Sequence, residues 1–248
     1  MQQVVAIIPA RLGSTRFPRK VLADRTGKPI IQHVWERAKQ AWSIRRVVIA
    51  ADDAEVLTAV HGFGGECVLT SPQHPNGTSR LAEAATLLGL PDDAIVVNVQ
   101  GDEPEVDPHV IDAAVAKLID SEAEVATVAS PFQPGEDASN PNIVKAVVGT
   151  TGLALYFSRS RIPFPREGGT AESAPLKHVG LYVYRVGFLR KYAALPSTPL
   201  ERTEVLEQLR VLEHGYRIAV AICDVSSTGI DTPEQYDAFV KRLGSNSL

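Results

Sequence analysis

Apolar residues in this chain come in short dense runs, and the runs alternate with stretches of helical spacing. Val4–Ile8 (VVAII) is uninterrupted and stops at Pro9. A run this short and this rich in β-branched residues reads as a strand buried on both faces. Lys28-Pro29 then opens a helix, with Ile30, Val34 and Ala38 on one stripe and Ile31 and Trp35 on the next. Val47–Ala51 is a second strand. Asp52-Asp53 supply N-cap candidates for a helix through Val60, which Gly64-Gly65 end. Glu66–Leu69 is a third strand. A turn-rich loop, Thr70–Gly77, leads to a helix through Leu88; Ile95–Val99 is a fourth strand and Pro108–Leu118 another helix.

The later chain is patterned differently. Val144–Val148 and Leu153–Phe157 flank Gly149-Thr-Thr-Gly152 and read as a hairpin. Val179–Tyr184 is a further strand. Leu200–Glu213 reads as one helix with a core stripe of Val205, Leu209 and Leu212, stopped by Gly215. Ile218–Cys223 is a strand and Thr232–Leu243 a closing helix. Repeated strand–helix units with short connections predict an α/β fold, a doubly wound, mostly parallel sheet, here with an added β-rich element. No repeat or low-complexity linker divides residues 1–248, so a single domain is expected. The Pro/Gly-rich stretch Pro163–Pro175 reads as a mobile loop within it, not as a boundary.

Composition narrows the classes. Hydrophobic residues are 44% and charged residues 22%, ordinary for a globular protein and unlike a disordered or coiled-coil chain. No apolar run approaches the roughly 18 residues that a membrane-spanning helix needs. The N-terminus MQQVVAIIPAR lacks the pattern of a secretory signal. Two cysteines, Cys67 and Cys223, are too few for a disulfide scaffold or a cysteine zinc site, and fit a reducing cytoplasm. The six histidines show no paired zinc spacing. A net charge of -4 argues against general nucleic-acid binding.

One segment runs against that acidity. The loop PARLGSTRFPRK after the first strand holds Arg11, Arg16, Arg19 and Lys20, and residues 1–23 contain no acid. Ligands of open α/β sheets bind at the carboxyl ends of the strands, where this loop must lie. Gly13, Ser14 and Thr15 let backbone N–H groups approach an anion. The loop is neither a Walker A loop nor a dinucleotide fingerprint. A solvated basic loop is the plainer alternative.

Asn98, Gln100 and Asp102 alternate at the end of the fourth strand and share one side while the backbone stays extended. Asp102 then faces the sheet mouth, where a carboxylate and substrate phosphates suit magnesium; a turn cap is the plainer reading. Asp231 precedes Thr232-Pro233-Glu234-Gln235, a helix start with Thr as N-cap, Pro at N1 and Gln at N3. A carboxylate there is favourable without any function. His178, Gly180, Tyr182 and Tyr184 alternate with Val179, Leu181 and Val183, which suits a strand lining a cleft or a half-exposed sheet. Arg159 offers a bidentate partner for a carboxylate, or is a surface arginine. Glu207 and Gln208 lie off the apolar stripe, by default on a solvated helix face.

The basic loop resembles the signature of sugar nucleotidyltransferases, and more closely that of the 3-deoxy-manno-octulosonate (Kdo) cytidylyltransferases. NGTSR (Asn76–Arg80), VNVQGDEP (Val97–Pro104), ALYFSRSRIPF (Ala154–Phe164), PLERTEVLEQLRVLEHG (Pro199–Gly215) and GIDTPEQ (Gly229–Gln235) extend the resemblance over about residues 4–240. It implies a Rossmann-like nucleotidyltransferase fold, with residues 1–130 as the nucleotide-binding half and 131–248 as the sugar-acid and dimerisation half. It implies that CMP passes from CTP to Kdo, giving CMP-Kdo and pyrophosphate for bacterial lipopolysaccharide, in a cytoplasmic homodimer. Asp102 and Asp231 would hold Mg2+. Arg11 and Lys20 would stabilise developing charge, and Pro9, Ala10, Gly77, Thr78, Arg80 and Gln100 would complete the nucleotide site. Gln100, Arg159, His178, Tyr182, Glu207 and Gln208 would take the sugar acid. Two positions depart from the family pattern: Arg19 stands where glycine is usual, and Ser79 where an acid is usual. Alternatives are a cytidylyltransferase for sialic acid or amino-substituted Kdo, and a nucleotide-binding module without catalysis.

Overall fold

The computed structural model describes residues 2–14, 16–74, 76–166, 174–225 and 229–245. Among these, nine strands form one mixed sheet with the order β3-β2-β1-β4-β8-β5-β9, and β6 and β7 form a hairpin attached to β8. The strands are β1 (Val4–Ala10), β2 (Arg46–Ala51), β3 (Glu66–Leu69), β4 (Ile95–Asn98), β5 (Val125–Pro131), β6 (Lys145–Val148), β7 (Ala154–Ser158), β8 (Leu176–Arg185) and β9 (Ile218–Ile222). The helices are α1 (Ile30–Ala38), α2 (Ala54–Gly62), α3 (Gly77–Leu87), α4 (Pro108–Ile119), α5 (Val186–Ala194), α6 (Pro199–Glu204), α7 (Gln208–Glu213) and α8 (Pro233–Ser245).

β1 to β4 pair in parallel, and β5 pairs in parallel with β9. Only β8 runs against its neighbours β4 and β5 in that seven-strand order. The mostly parallel doubly wound sheet and the added hairpin match the expectation from the alternating pattern. Val5, Ala6, Ile7 and Ile8 are fully buried because helices cover both faces of β1, and the apolar side chains divide into two clusters, one on each face.

Three elements depart from the sequence reading. β5 lies between β8 and β9, yet Thr127 and Ser130 interrupt its apolar character, and no strand was expected there. α5 starts directly from β8 with no side-chain cap at Arg185, so it lacks a start signal. The expected helix Leu200–Glu213 is two helices. Val205 between them adopts φ 54° and ψ 52° and is 74% exposed, so it is not part of a core stripe. A left-handed conformation at a β-branched residue costs roughly 1–2 kcal/mol, so surrounding bonds must hold the break. Residues 167–173 of the expected Pro163–Pro175 loop lie outside the described residues.

Candidate functional site

The basic loop leaves the carboxyl end of β1 beside the ends of β2 and β4, as the winding of the sheet requires. Asp52, at the end of β2, accepts a hydrogen bond from the Leu12 N–H at 3.0 Å. Its other oxygen lies 3.4 Å from the guanidinium of Arg80, which is fully buried and donates to the Thr70 hydroxyl at 2.7 Å. Of the two cap candidates only Asp53 caps α2, accepting from Glu55 N–H; Asp52 ties the loop to Arg80 instead. Sequence reasoning missed that role. The signal was its place at a strand's carboxyl end.

β4 stops at Asn98, so the alternation expected through Asp102 breaks at a turn. Gly101 makes the turn possible, because a Cβ there would lie 2.6 Å from the Pro9 carbonyl oxygen. The Ile230 N–H donates to the Asp102 carbonyl at 2.8 Å and fastens the segment before α8 to this turn. Thr232 and Gln235 exchange the bonds expected of an N-cap and its N3 partner, which leaves the Asp231 carboxylate free of the cap. The two aspartates therefore converge. Lys20 Nζ lies 2.7 Å from Asp102 Oδ2 and 3.2 Å from Asp231 Oδ1, and Arg16 reaches Asp231 at 3.0 Å.

A cavity of about 440 Å3 opens over this group, lined by Pro9, Arg11, Gly13, Ser14, Arg80 and Gln100 among others. Ala10 is fully buried and is not part of the lining, and Thr15 lies outside the described residues. A second cavity of about 290 Å3 is lined by Thr78, Asn98, Tyr182, Tyr184, Glu207 and Gln208 among others. Gly77 and Gln100 line both, so the two are neighbours. Larger hollows exist elsewhere; the one of about 650 Å3 beside α1 and α8 holds cations already engaged, Arg242 with Glu105 and Arg37 with the Val106 carbonyl. Chemistry, not size, marks the site.

The second cavity is a polar pocket built from tyrosines. Burial raises the pKa of Tyr182 well above the phenol range and raises Tyr184 and Tyr192 likewise, so all three stay neutral donors. Burial also raises Glu207, whose Oε2 lies 3.4 Å from the Thr78 hydroxyl. Gln100 Nε2 donates to the Gly180 carbonyl at 3.0 Å. Gln208 is buried. The solvated helix face expected for Glu207 and Gln208 is therefore replaced by a cavity wall. Asn98 was not put forward as a ligand residue, yet it lines this wall with Oδ1 buried and unpartnered.

His178 and Arg159 line neither cavity. The His178 ring packs 5.3 Å from that of Tyr182, and its Nε2 lies 2.9 Å from the Thr127 hydroxyl. The same hydroxyl donates to the Leu181 carbonyl at 2.8 Å, and in that arrangement His178 is the donor from Nε2. Burial pushes its pKa down to about 4. Arg159 spends its guanidinium on backbone carbonyls: Nε to Glu204 at 2.7 Å, and the other nitrogens to Pro141 at 3.0 Å and Val205 at 3.3 Å. Three of its five N–H donors are taken in this way, and the N–H left on each terminal nitrogen stays available to an acceptor.

Comparison with known proteins adds the following. A family model described as cytidylyltransferase matches residues 5–218. A protein of Syntrophobacter fumaroxidans named 3-deoxy-manno-octulosonate cytidylyltransferase is 49% identical, over 99% of both chains. One of the same name from Nitratidesulfovibrio vulgaris is 46% identical, over 97% of this chain and 96% of its own. A solved structure of CMP:2-keto-3-deoxy-manno-octonic acid synthetase complexed with CTP superimposes with a TM-score of 0.92 at 40% identity, covering 99% of this chain and 100% of that one. The structure of 4-diphosphocytidyl-2C-methyl-D-erythritol synthase, at 14% identity and a TM-score of 0.65, shares the fold.

Proposed function

The chain belongs to the 3-deoxy-manno-octulosonate cytidylyltransferases, and from that membership we propose that it joins CMP from CTP to the anomeric hydroxyl of Kdo. The anomeric oxygen forms a bond to the α-phosphorus, and the bond from that phosphorus to the β-phosphate oxygen breaks, releasing pyrophosphate. The observation that carries this reading is the pair of adjoining cavities, one basic and one lined by neutral hydroxyls and amides, which meet at Gly77 and Gln100.

In this reading the basic cavity takes the triphosphate. Arg11 and Lys20 stabilise charge that grows on the phosphates, and Arg80 and the backbone of Gly13 and Ser14 fix their position. Gln100, Tyr182, Glu207 and Gln208 take the sugar acid from the other side, and Thr78, which the resemblance gives to the nucleotide, lines the same cavity. His178 acts through the Tyr182 ring it packs against, and Arg159 through the backbone it holds.

Asp102 and Asp231 fit a magnesium ion. Both already share one cation, the Lys20 ammonium, so their oxygens converge on a point that favours positive charge. When bound, the metal neutralises phosphate charge and lowers the pKa of a hydroxyl bound to it. We place the enzyme in the cytoplasm, ahead of lipopolysaccharide assembly, and as a homodimer; Leu155 on β7, 65% exposed, would be covered if the hairpin forms the contact. No helix among the described residues is long and apolar enough to cross a membrane.

The test is pyrophosphate release with each of four nucleoside triphosphates, with and without Kdo. Release with CTP and Kdo together is the expected result. Release with sialic acid or amino-substituted Kdo in its place moves the substrate assignment, and no release with any pair refutes catalysis.

A further inference from the structure

Lys145 is fully buried at the start of β6, a costly position for an ammonium group. Its three N–H donors meet three backbone carbonyls: Asn140 at 3.0 Å, Ile143 at 2.6 Å and Arg159 at 2.5 Å. Methionine would fill the same volume without desolvation. Lysine adds three directed bonds to three points of the backbone.

Those points lead to the second cavity. Arg159 is held at its carbonyl by Lys145 and in turn holds Glu204 and Val205 at theirs. Its own N–H donates to the Glu204 carboxylate at 3.0 Å, which also accepts from the Ser158 hydroxyl at 2.6 Å. The Pro141 carbonyl, which takes another guanidinium nitrogen, lies in the loop that Lys145 anchors at Asn140 and Ile143. The Arg159 and Ser158 bonds to Glu204 and Val205 end at the residue before and the residue within the left-handed break at Val205. Beyond the break come Leu206, Glu207 and Gln208, which line the cavity.

We propose that Lys145 is a positioning residue for the sugar-acid cavity, acting through Arg159 to hold the strained turn at Val205 that presents Glu207 and Gln208. The inference rests on the sugar-acid reading of that cavity. Lys145 touches neither cavity, and it controls the shape of one without contacting the other.

Lys145→Met tests it by a split between substrates. The expected result is a rise of at least tenfold in KM for Kdo, with the Kd of CTP within twofold of wild type. Amide hydrogen exchange in residues 204–209 should quicken at least tenfold. Glycine adopts positive φ freely, so Lys145→Met combined with Val205→Gly should bring KM back to within threefold of wild type. A purely structural lysine would show no such rescue. Unchanged KM for Kdo, an equal loss for CTP, or a double variant no better than the single one overturns the proposal. Should Lys145→Met fail to fold, Arg159→Lys keeps the charge but loses the fork, and it must show the same split or the proposal fails. If wild type releases no pyrophosphate with Kdo, the functional reading falls. Exchange at 204–209 then still decides the positioning role: faster exchange supports it, and unchanged exchange overturns it.

Discussion

The ammonium of Lys20 lies 2.7 Å from Asp102 Oδ2 and bridges onward to Asp231 at 3.2 Å, with Lys20 itself almost wholly buried. Two carboxylates near each other repel, and the ammonium offsets that repulsion. A bound metal would compete for the same oxygens. Lys20→Ala should therefore tighten Mg2+ binding in the absence of nucleotide while lowering turnover at least 100-fold and CTP affinity by less than tenfold. Calorimetric titration with Mg2+ and steady-state kinetics read the two effects. Weaker metal binding in the variant would mean the ammonium does not share the metal's place.

Gly101 packs the Asp102 turn against β1. A methyl group there would meet the Pro9 carbonyl at 2.6 Å and the Ile31 side chain at 3.5 Å. Gly101→Ala should push the turn away from the start of the basic loop. A stability loss of about 1–3 kcal/mol is the usual scale of such overpacking, and kcat/KM should fall at least tenfold because Asp102 and Arg11 move apart. Thermal unfolding and initial rates check both. A variant with wild-type kinetics would show that the loop tolerates the shift.

Arg19 stands at φ 57°, ψ 24°, a conformation that favours glycine, and pairs with Glu55 on α2. Releasing the left-handed strain gains roughly 1–2 kcal/mol. Against that stand an exposed ion pair worth about 0–1 kcal/mol and the added freedom of glycine when unfolded, roughly 0.4–1 kcal/mol. Arg19→Gly should leave stability within about 1 kcal/mol of wild type and turnover within threefold. A large loss of activity would instead give the guanidinium a direct part in binding phosphate. Denaturant unfolding and kinetics decide.

His178 titrates near 4 in the folded chain, below the ordinary value of 6.5, because its half-buried ring loses solvent. The unfolded chain then binds the extra proton first. The contribution is complete above about pH 6.5 and is lost as pH falls from there toward 4, at most about 3 kcal/mol by linkage and less where water reaches the ring. His178→Gln should flatten the acid limb of a stability-against-pH curve by up to one proton. An NMR titration of the imidazole near 6.5 would contradict the depressed value.

How much of this was legible beforehand depends on how local the determinants are. β1, β2 and β4 read well, because continuous Val/Ile/Ala runs between turn residues leave few alternatives, and β3, bounded by Gly64-Gly65 and the turn after Leu69, was placed to the residue. The convergence of Asp102 and Asp231 was not local. It depends on one backbone bond from Ile230 to the Asp102 carbonyl, which no spacing reveals. The break at Val205 was hidden because residues 203–208 have neither glycine nor proline; the Leu206 N–H closes it on the Glu201 carbonyl at 3.2 Å, and Arg159 bonds the Glu204 and Val205 carbonyls from outside the helix. Arg159 is a cation beside a strand, and that three of its donors hold backbone carbonyls depends on segments distant in sequence, which no local pattern reveals. Glu207 and Gln208 were legible as residues and illegible as a wall until the helix was seen to be broken.

The reversed strand β8 also sets a schedule for synthesis. β4 must wait for β8 to cover its open side, and the Gln100 to Gly180 contact that accompanies this pairing spans 80 residues. At roughly 5–20 residues per second on the ribosome, that side of β4 stays bare for about 4–16 seconds. β4 is apolar and buried on both faces in the finished sheet, so for those seconds the nascent chain exposes an adhesive edge to any neighbouring strand. Crowded polysomes and slow translation between residues 100 and 176 would be where this protein aggregates, and a chaperone held near the exit tunnel is where it would be protected.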